Sequence, residues 1–146
     1  MWHTEFSATS AVPREAIWSA IVDLHSGIPL TEHGDRFVLH GPFEVGTALS
    51  VTPQGQETFT SRIIELVENE VYADETVLDG FRLVFRQRLR PHGEGGTEVV
   101  RELVIDGAEA DRVGPRLGPQ ISEDFPQAMA DLLEAAARRA TPTLRG

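Results

Sequence analysis

The chain has no cysteine and no lysine. Without thiols there can be no disulfide, no thiolate nucleophile and no cysteine-ligated zinc. That absence fits a reducing compartment best, so a cytoplasmic location is the expectation. All 13 basic residues are arginine, which reads as codon usage in a GC-rich genome rather than as mechanism. No basic-then-apolar leader opens the sequence, and no apolar run approaches the roughly 18 residues of a membrane span, so no membrane insertion is expected. Positive charge is scarce overall, with 23 Asp and Glu giving a net charge of -10. A nucleic-acid partner is therefore not expected, and the acidic surface reads as a solvated face.

Catalytic signatures are missing too. No Gly-x-Ser-x-Gly elbow is present, which leaves a serine hydrolase without support. His33, Asp35 and His40 fall in a loop entering a strand and lack the spacing of a metal site. They read as surface residues, so neither a metal nor a cofactor is expected. The "GEGG" at 93–96 joins two strands, which makes it a hairpin turn rather than a phosphate loop.

What is present is an ordinary globular composition, 40% hydrophobic over 146 residues, and one domain spanning 1–146 is expected. Apolar residues favour the even positions from Trp2 to Val12, the period of a strand. Pro13 then opens a helix whose stripe is Ile17, Ile21 and Leu24, with Trp18 a core residue and Gly27 and Pro29 ending it. From Asp35 to Ile105 six strand-like segments follow, separated by Gly, Pro, Asn and Asp. After Gly107 the chain turns Ala-rich and helical, with Ile121, Phe125, Met129, Leu132, Leu133 and Ala136 repeating at helical spacing. Pro115 and Pro119 should set its first part apart, and Pro126 should bend the helix or start its straight portion.

The segment "FRLVFRQRLRPHGEGGTEVVRELVID" sets a register through its charges. With His92 to Gly96 as the turn, Arg90 faces Glu98, Arg86 faces Glu102 and Arg82 faces Asp106. Each such cross-strand pair is worth roughly 0.2–1 kcal/mol, and a two-residue slip destroys most of them. The opposite face then pairs Leu83 with Ile105, Phe85 with Leu103, Leu89 with Val99, and Gln87 with Arg101. A two-residue turn at Asp79-Gly80 adds Tyr72 opposite Gln87 and Asp74 opposite Phe85. Tyr72, Asp74, Gln87 and Arg101 thus gather on an inward apolar face. A buried guanidinium needs a partner, and Asp74 is the candidate.

The segments "AVPREAIWSAIVDL", "GPFEVGTALSV", "GEGGTEVVRELVIDG" and "FPQAMADLLEAAARRA" resemble the START-like, Bet v 1-like superfamily of polyketide cyclases and lipid-transport proteins. The resemblance implies an α+β helix-grip fold. A curved antiparallel sheet of about seven strands would wrap a long C-terminal helix, with a cavity between them. Members bind apolar small molecules, and some are cyclases. The segment "HSGIPLTEHGDR" lacks the tryptophan that members often carry near the cavity mouth. On this resemblance the ligand-binding residues are Tyr72, Asp74, Phe85, Gln87, Arg101, Leu103, Phe125 and Met129. Arg101 would meet an anionic or carbonyl end of an apolar ligand, lipid or polyketide-like, with Tyr72 as donor and Asp74 as base or orienter. The expected function is therefore ligand binding. The alternatives are a polyketide cyclase/dehydrase-type enzyme and, third, a chaperone-interacting or structural module.

Overall fold

Alternation and turn chemistry lay out seven strands and three helices in the computed structural model, which describes residues 1–140; the tail 141–146 of the expected domain lies outside them. In chain order they are β1 (Trp2–Ser10), α1 (Arg14–His25), β2 (Arg36–Leu39), β3 (Ala48–Thr52), β4 (Phe59–Val67), β5 (Val71–Leu78), β6 (Phe81–His92), β7 (Gly96–Asp106), α2 (Ala110–Ser122) and α3 (Phe125–Ala140). The strands form one antiparallel sheet in the order β1-β7-β6-β5-β4-β3-β2. The sheet is curved, and helices cover one of its faces. This is the α+β helix-grip architecture that the resemblance implied.

The charge-derived register holds at every pair named above, from Arg82 opposite Asp106 to Arg90 opposite Glu98. On the outer face the three arginines reach those partners, Arg86 to Glu102 at 2.9 Å, Arg90 to Glu98 at 3.6 Å and Arg82 to Asp106 at 3.7 Å. The β5–β6 register follows from the Asp79-Gly80 turn as expected, placing Tyr72 opposite Gln87 and Asp74 opposite Phe85. The β6–β7 turn is shorter than the five residues expected. His92 and Gly96 still pair, leaving three residues, in which Gly93 (φ +62°) and Gly95 (φ +77°) take the left-handed conformation. A bulge between Ile63 and Glu65 shifts the β4–β5 register, and the inward alternation of β5, β6 and β7 runs on undisturbed.

Two apolar clusters hold the layers together. One joins α1 and α3 to the sheet through Ile17, Trp18, Ile21, Leu49, Ile63, Met129 and Leu132. The other lies under α2, around Leu103, Ile105, Ala110 and Phe125. Asp23 of α1 receives Arg139 of α3 at 2.8 Å, which ties the far end of the gripped helix.

The C-terminal helical region differs from expectation in where it breaks. Pro115 and Pro119 lie inside α2, and the separation from α3 falls at Glu123-Asp124. Both prolines face solvent, so the carbonyls that lose a helical partner can bond to water. Pro126 stands in the first turn of α3, where its missing N–H costs nothing.

The buried face of α2 is made by Ala110, Gly114 and Gly118, and the two glycines, one turn apart, lie against the Trp2 side chain. A Cβ at Gly118 would overlap the Trp2 ring. Gly118→Ala should therefore lower stability by about 2 kcal/mol, as overpacking outweighs the ~1 kcal/mol of helix propensity gained. Urea unfolding checks the sign; a stabilised variant would mean that Trp2 swings aside freely.

Candidate ligand-binding cavity

Between the sheet and the helices lies a cavity of about 640 Å³. Strands β2 to β7 form its floor and wall, while α2, the first residue of α3 and His25 of α1 complete it. Six of the eight residues singled out from the sequence line it: Tyr72, Asp74, Phe85, Gln87, Arg101 and Phe125. Leu103 and Met129 do not. Leu103 is fully buried in the cluster under α2, and Met129 packs in the α1–α3 core, so each is covered by its neighbours.

Asp74 and Tyr72 are two apart on β5 and therefore share a face. The Tyr72 hydroxyl donates to Asp74 Oδ2 at 2.7 Å. Asp74 is only 5% exposed, and burial pushes its pKa up to about 6, despite opposing pulls from the Tyr72 hydrogen bond and the Arg101 charge. Burial and the adjacent carboxylate also push the Tyr72 phenol up, so it stays protonated.

Arg101 does not take Asp74 as its ion-pair partner, contrary to the sequence reading. Among the described residues no carboxylate lies within ion-pair distance of its guanidinium. It stacks instead on aromatic rings, with Cζ 4.8 Å from the Phe125 centroid and 6.0 Å from that of Phe85. Burial lowers its pKa, opposed by the charges of Asp124, Asp35 and Asp74. Arg101 Nε and Gln87 Oε1 are both buried without a hydrogen-bond partner. They belong to residues directly opposite one another across β6 and β7.

Among the lining residues that escaped the sequence reading are His25, Asp35 and Asp124. His25 ends the α1 stripe one turn after Ile21, and that spacing was the available signal. Its ring centroid is 4.0 Å from that of Tyr72 and 4.5 Å from that of Phe37. Nδ1 lies 2.7 Å from the Ile21 carbonyl, which can only accept, so Nδ1 carries the proton. Burial above all, with the Arg101 charge adding to it, lowers the His25 pKa to about 4. The ring is therefore neutral near pH 7, and Nε2 keeps a lone pair. Asp35, read as a surface residue, is half-buried and lines the cavity. Asp124, between α2 and α3, lines it as well, although its sequence context showed only helix. His33 and His40 are exposed, as expected of them.

Neither a protein-family model nor a curated protein matches this sequence. Solved structures do. Norcoclaurine synthase from Thalictrum flavum, in complex with dopamine and hydroxybenzaldehyde, superposes with a TM-score of 0.74 at 16% identity, covering 97% of this chain and 88% of that one. The Zhui aromatase/cyclase from a Streptomyces species gives 0.73 at 16% identity, over 99% and 98% of the two chains. Ara h 8.0201 gives 0.64 at 18% identity, over 92% and 93%. The chain shares the helix-grip fold of these structures. At these identities the likeness is one of architecture, and the chemistry of the cavity has to be argued from its own residues.

Proposed function

We propose that the protein binds a small, largely apolar organic molecule in this cavity, lipid or polyketide-like, with the molecule's polar end against Arg101 and Gln87. The observation that carries the reading is the pair of orphaned atoms, Arg101 Nε and Gln87 Oε1, in a lining that also includes Phe85, Phe125, Leu83 and Ile121. A buried donor and acceptor left unpaired each cost about 1–3 kcal/mol, a cost that a bound polar group can offset. The volume also falls within the range of about 300–1,000 Å³ usual for small-molecule sites. No helix among the described residues is long and apolar enough to cross a membrane, and a cytoplasmic setting remains part of this proposal.

Native mass spectrometry of the purified protein, followed by extraction of any bound compound, tests the reading. A co-purifying apolar molecule that is lost in Arg101→Ala is the expected result. A protein that arrives empty and takes up none of a panel of fatty acids, sterols and aromatic polyketides would sink it.

The Tyr72–Asp74 hydrogen bond favours a second reading, acid–base chemistry of the cyclase/dehydrase type. A carboxyl group with a pKa near 6, hydrogen-bonded to a tyrosine whose ring packs on a neutral imidazole, suits proton transfer near neutrality. Turnover that falls by orders of magnitude in Asp74→Asn would separate this reading from simple carriage.

A further inference from the structure

Resting on the binding reading above, we propose that Gln87 and Arg101 together select a hydroxyl group, so that the cavity takes an apolar alcohol or phenol in preference to the matching ketone or carboxylate. One hydroxyl oxygen accepts from Arg101 Nε and donates its proton to Gln87 Oε1.

Gln87 lies on the middle one of three strands, with Tyr72 directly opposite on β5 and Arg101 directly opposite on β7. Residues so placed hold their Cβ atoms about 4.5–5.5 Å apart, within reach for side chains of this length. Both neighbours carry donors, and neither serves Gln87. The single Tyr72 O–H goes to Asp74 Oδ2 at 2.7 Å. Arg101 turns onto Phe125 instead, with Cζ 4.8 Å from the ring centroid. The Gln87 side chain is only 5% exposed and lines the cavity, yet its Oε1 has no donor, and Arg101 Nε has no acceptor. An apolar residue of the same shape at position 87 would escape the cost of that unpaired oxygen. The packing therefore does not call for glutamine, whereas an occupant that brings a donor does.

The two unpaired atoms make opposite demands. The guanidinium N–H needs an acceptor, and the amide oxygen needs a donor. A ketone oxygen only accepts, so it meets Arg101 and leaves Gln87 unserved. A carboxylate also only accepts, and it sets its negative charge beside the amide oxygen. An ammonium only donates, and it meets the charge of the guanidinium. A hydroxyl does both from one atom, and that atom can bridge two side chains facing each other across adjacent strands. The rings of Phe85 and Phe125 against Arg101, with Phe37 and Phe59 also in the lining, suit an aromatic or otherwise apolar carrier for that group.

The test uses a naphthyl methyl ketone, both enantiomers of the alcohol formed by its reduction, and naphthoate. Binding to the whole chain near neutral pH is measured by isothermal titration calorimetry. The tighter alcohol should bind at least about tenfold better than the ketone, the worth of one buried acceptor satisfied, with naphthoate weakest. Gln87→Met keeps the length of the side chain and removes the acceptor. In that variant, with folding checked by circular dichroism, the alcohol preference should shrink below about threefold through weaker alcohol binding. Arg101→Met should weaken alcohol and ketone alike, because both accept from the guanidinium. A wild-type preference below about threefold overturns the proposal and leaves the binding reading standing; a Gln87 amide that turned its NH2 to the ligand would give this result. A preference that survives Gln87→Met does the same. Loss of both probes in that variant makes Gln87 a structural tie and also overturns the proposal. Failure of every probe to bind the wild type overturns both readings.

Discussion

Arg101→Met is expected to weaken binding of a naphthyl methyl ketone, a small apolar probe with one carbonyl end, by about 10- to 100-fold, the equivalent of ~1.5–3 kcal/mol for a hydrogen bond from a charged donor. The same variant should unfold at the same urea concentration as the wild type or a higher one. These opposite demands follow from the surroundings of the guanidinium. Its Nε is buried without a partner, its pKa is lowered chiefly by burial, and among the described residues no carboxylate lies within ion-pair distance of it. Methionine keeps an unbranched stem against Phe125 and Phe85 and adds a thioether suited to ring contacts. Replacing a buried charge by an apolar residue of similar shape is often neutral or stabilising. Binding sites commonly trade stability for function in this way. A stability loss above about 1 kcal/mol would identify Arg101 as a structural tie, since loss of packing alone is small for so conservative a shape change.

Much of the floor of the cavity was legible before any coordinates. The Arg82, Arg86 and Arg90 pairings fix β6 against β7, and the Asp79-Gly80 turn fixes β5 against β6. Period-two geometry then carries Tyr72, Asp74, Gln87 and Arg101 to one face without further information. The partnership within that face was not legible. Cross-strand register reports which Cα atoms oppose one another, whereas a hydrogen bond depends on side-chain reach. Tyr72 and Asp74, neighbours along one strand, meet at 2.7 Å while Arg101 turns onto Phe125. The roof was harder still. Helical periodicity says which side of α3 is apolar, but not that Met129 enters the core beside α1 while Phe125, one turn earlier, reaches the cavity. Asp35 and Asp124 come from connections between elements, where no period applies, so only the assembled structure brings them to one cavity.

The pH dependence of the Asp74→Asn variant bears most directly on the buried dyad. Asparagine keeps an oxygen that can accept from Tyr72 but cannot ionise. Because the folded-state pKa of Asp74 is raised from 3.8 to about 6, the native protein holds this proton more tightly than the unfolded chain does. The favourable contribution of Asp74 is therefore complete below the unfolded value and lost as pH rises through 6. Above that point the wild type carries a buried, ionised carboxylate, and the gap amounts to about 3 kcal/mol at ~1.36 kcal/mol per pKa unit. His25 works in the other direction. Its pKa is lowered from 6.5 to about 4, so its contribution is complete above the unfolded value and is lost as pH falls toward 4. Between pH 4 and 6 the two slopes oppose one another, and the wild type should show little change from this pair. In Asp74→Asn only the His25 slope remains, so stability should climb with pH over that interval. Urea unfolding of both proteins at pH 4, 6 and 8 isolates the effect, because His25 is common to both and drops out of the difference. The variant's stability relative to wild type should grow by about 3 kcal/mol from pH 4 to pH 8. A difference that stays flat would mean that Asp74 ionises as an ordinary solvated carboxylate, and the acid–base reading of the cavity would lose its proton donor.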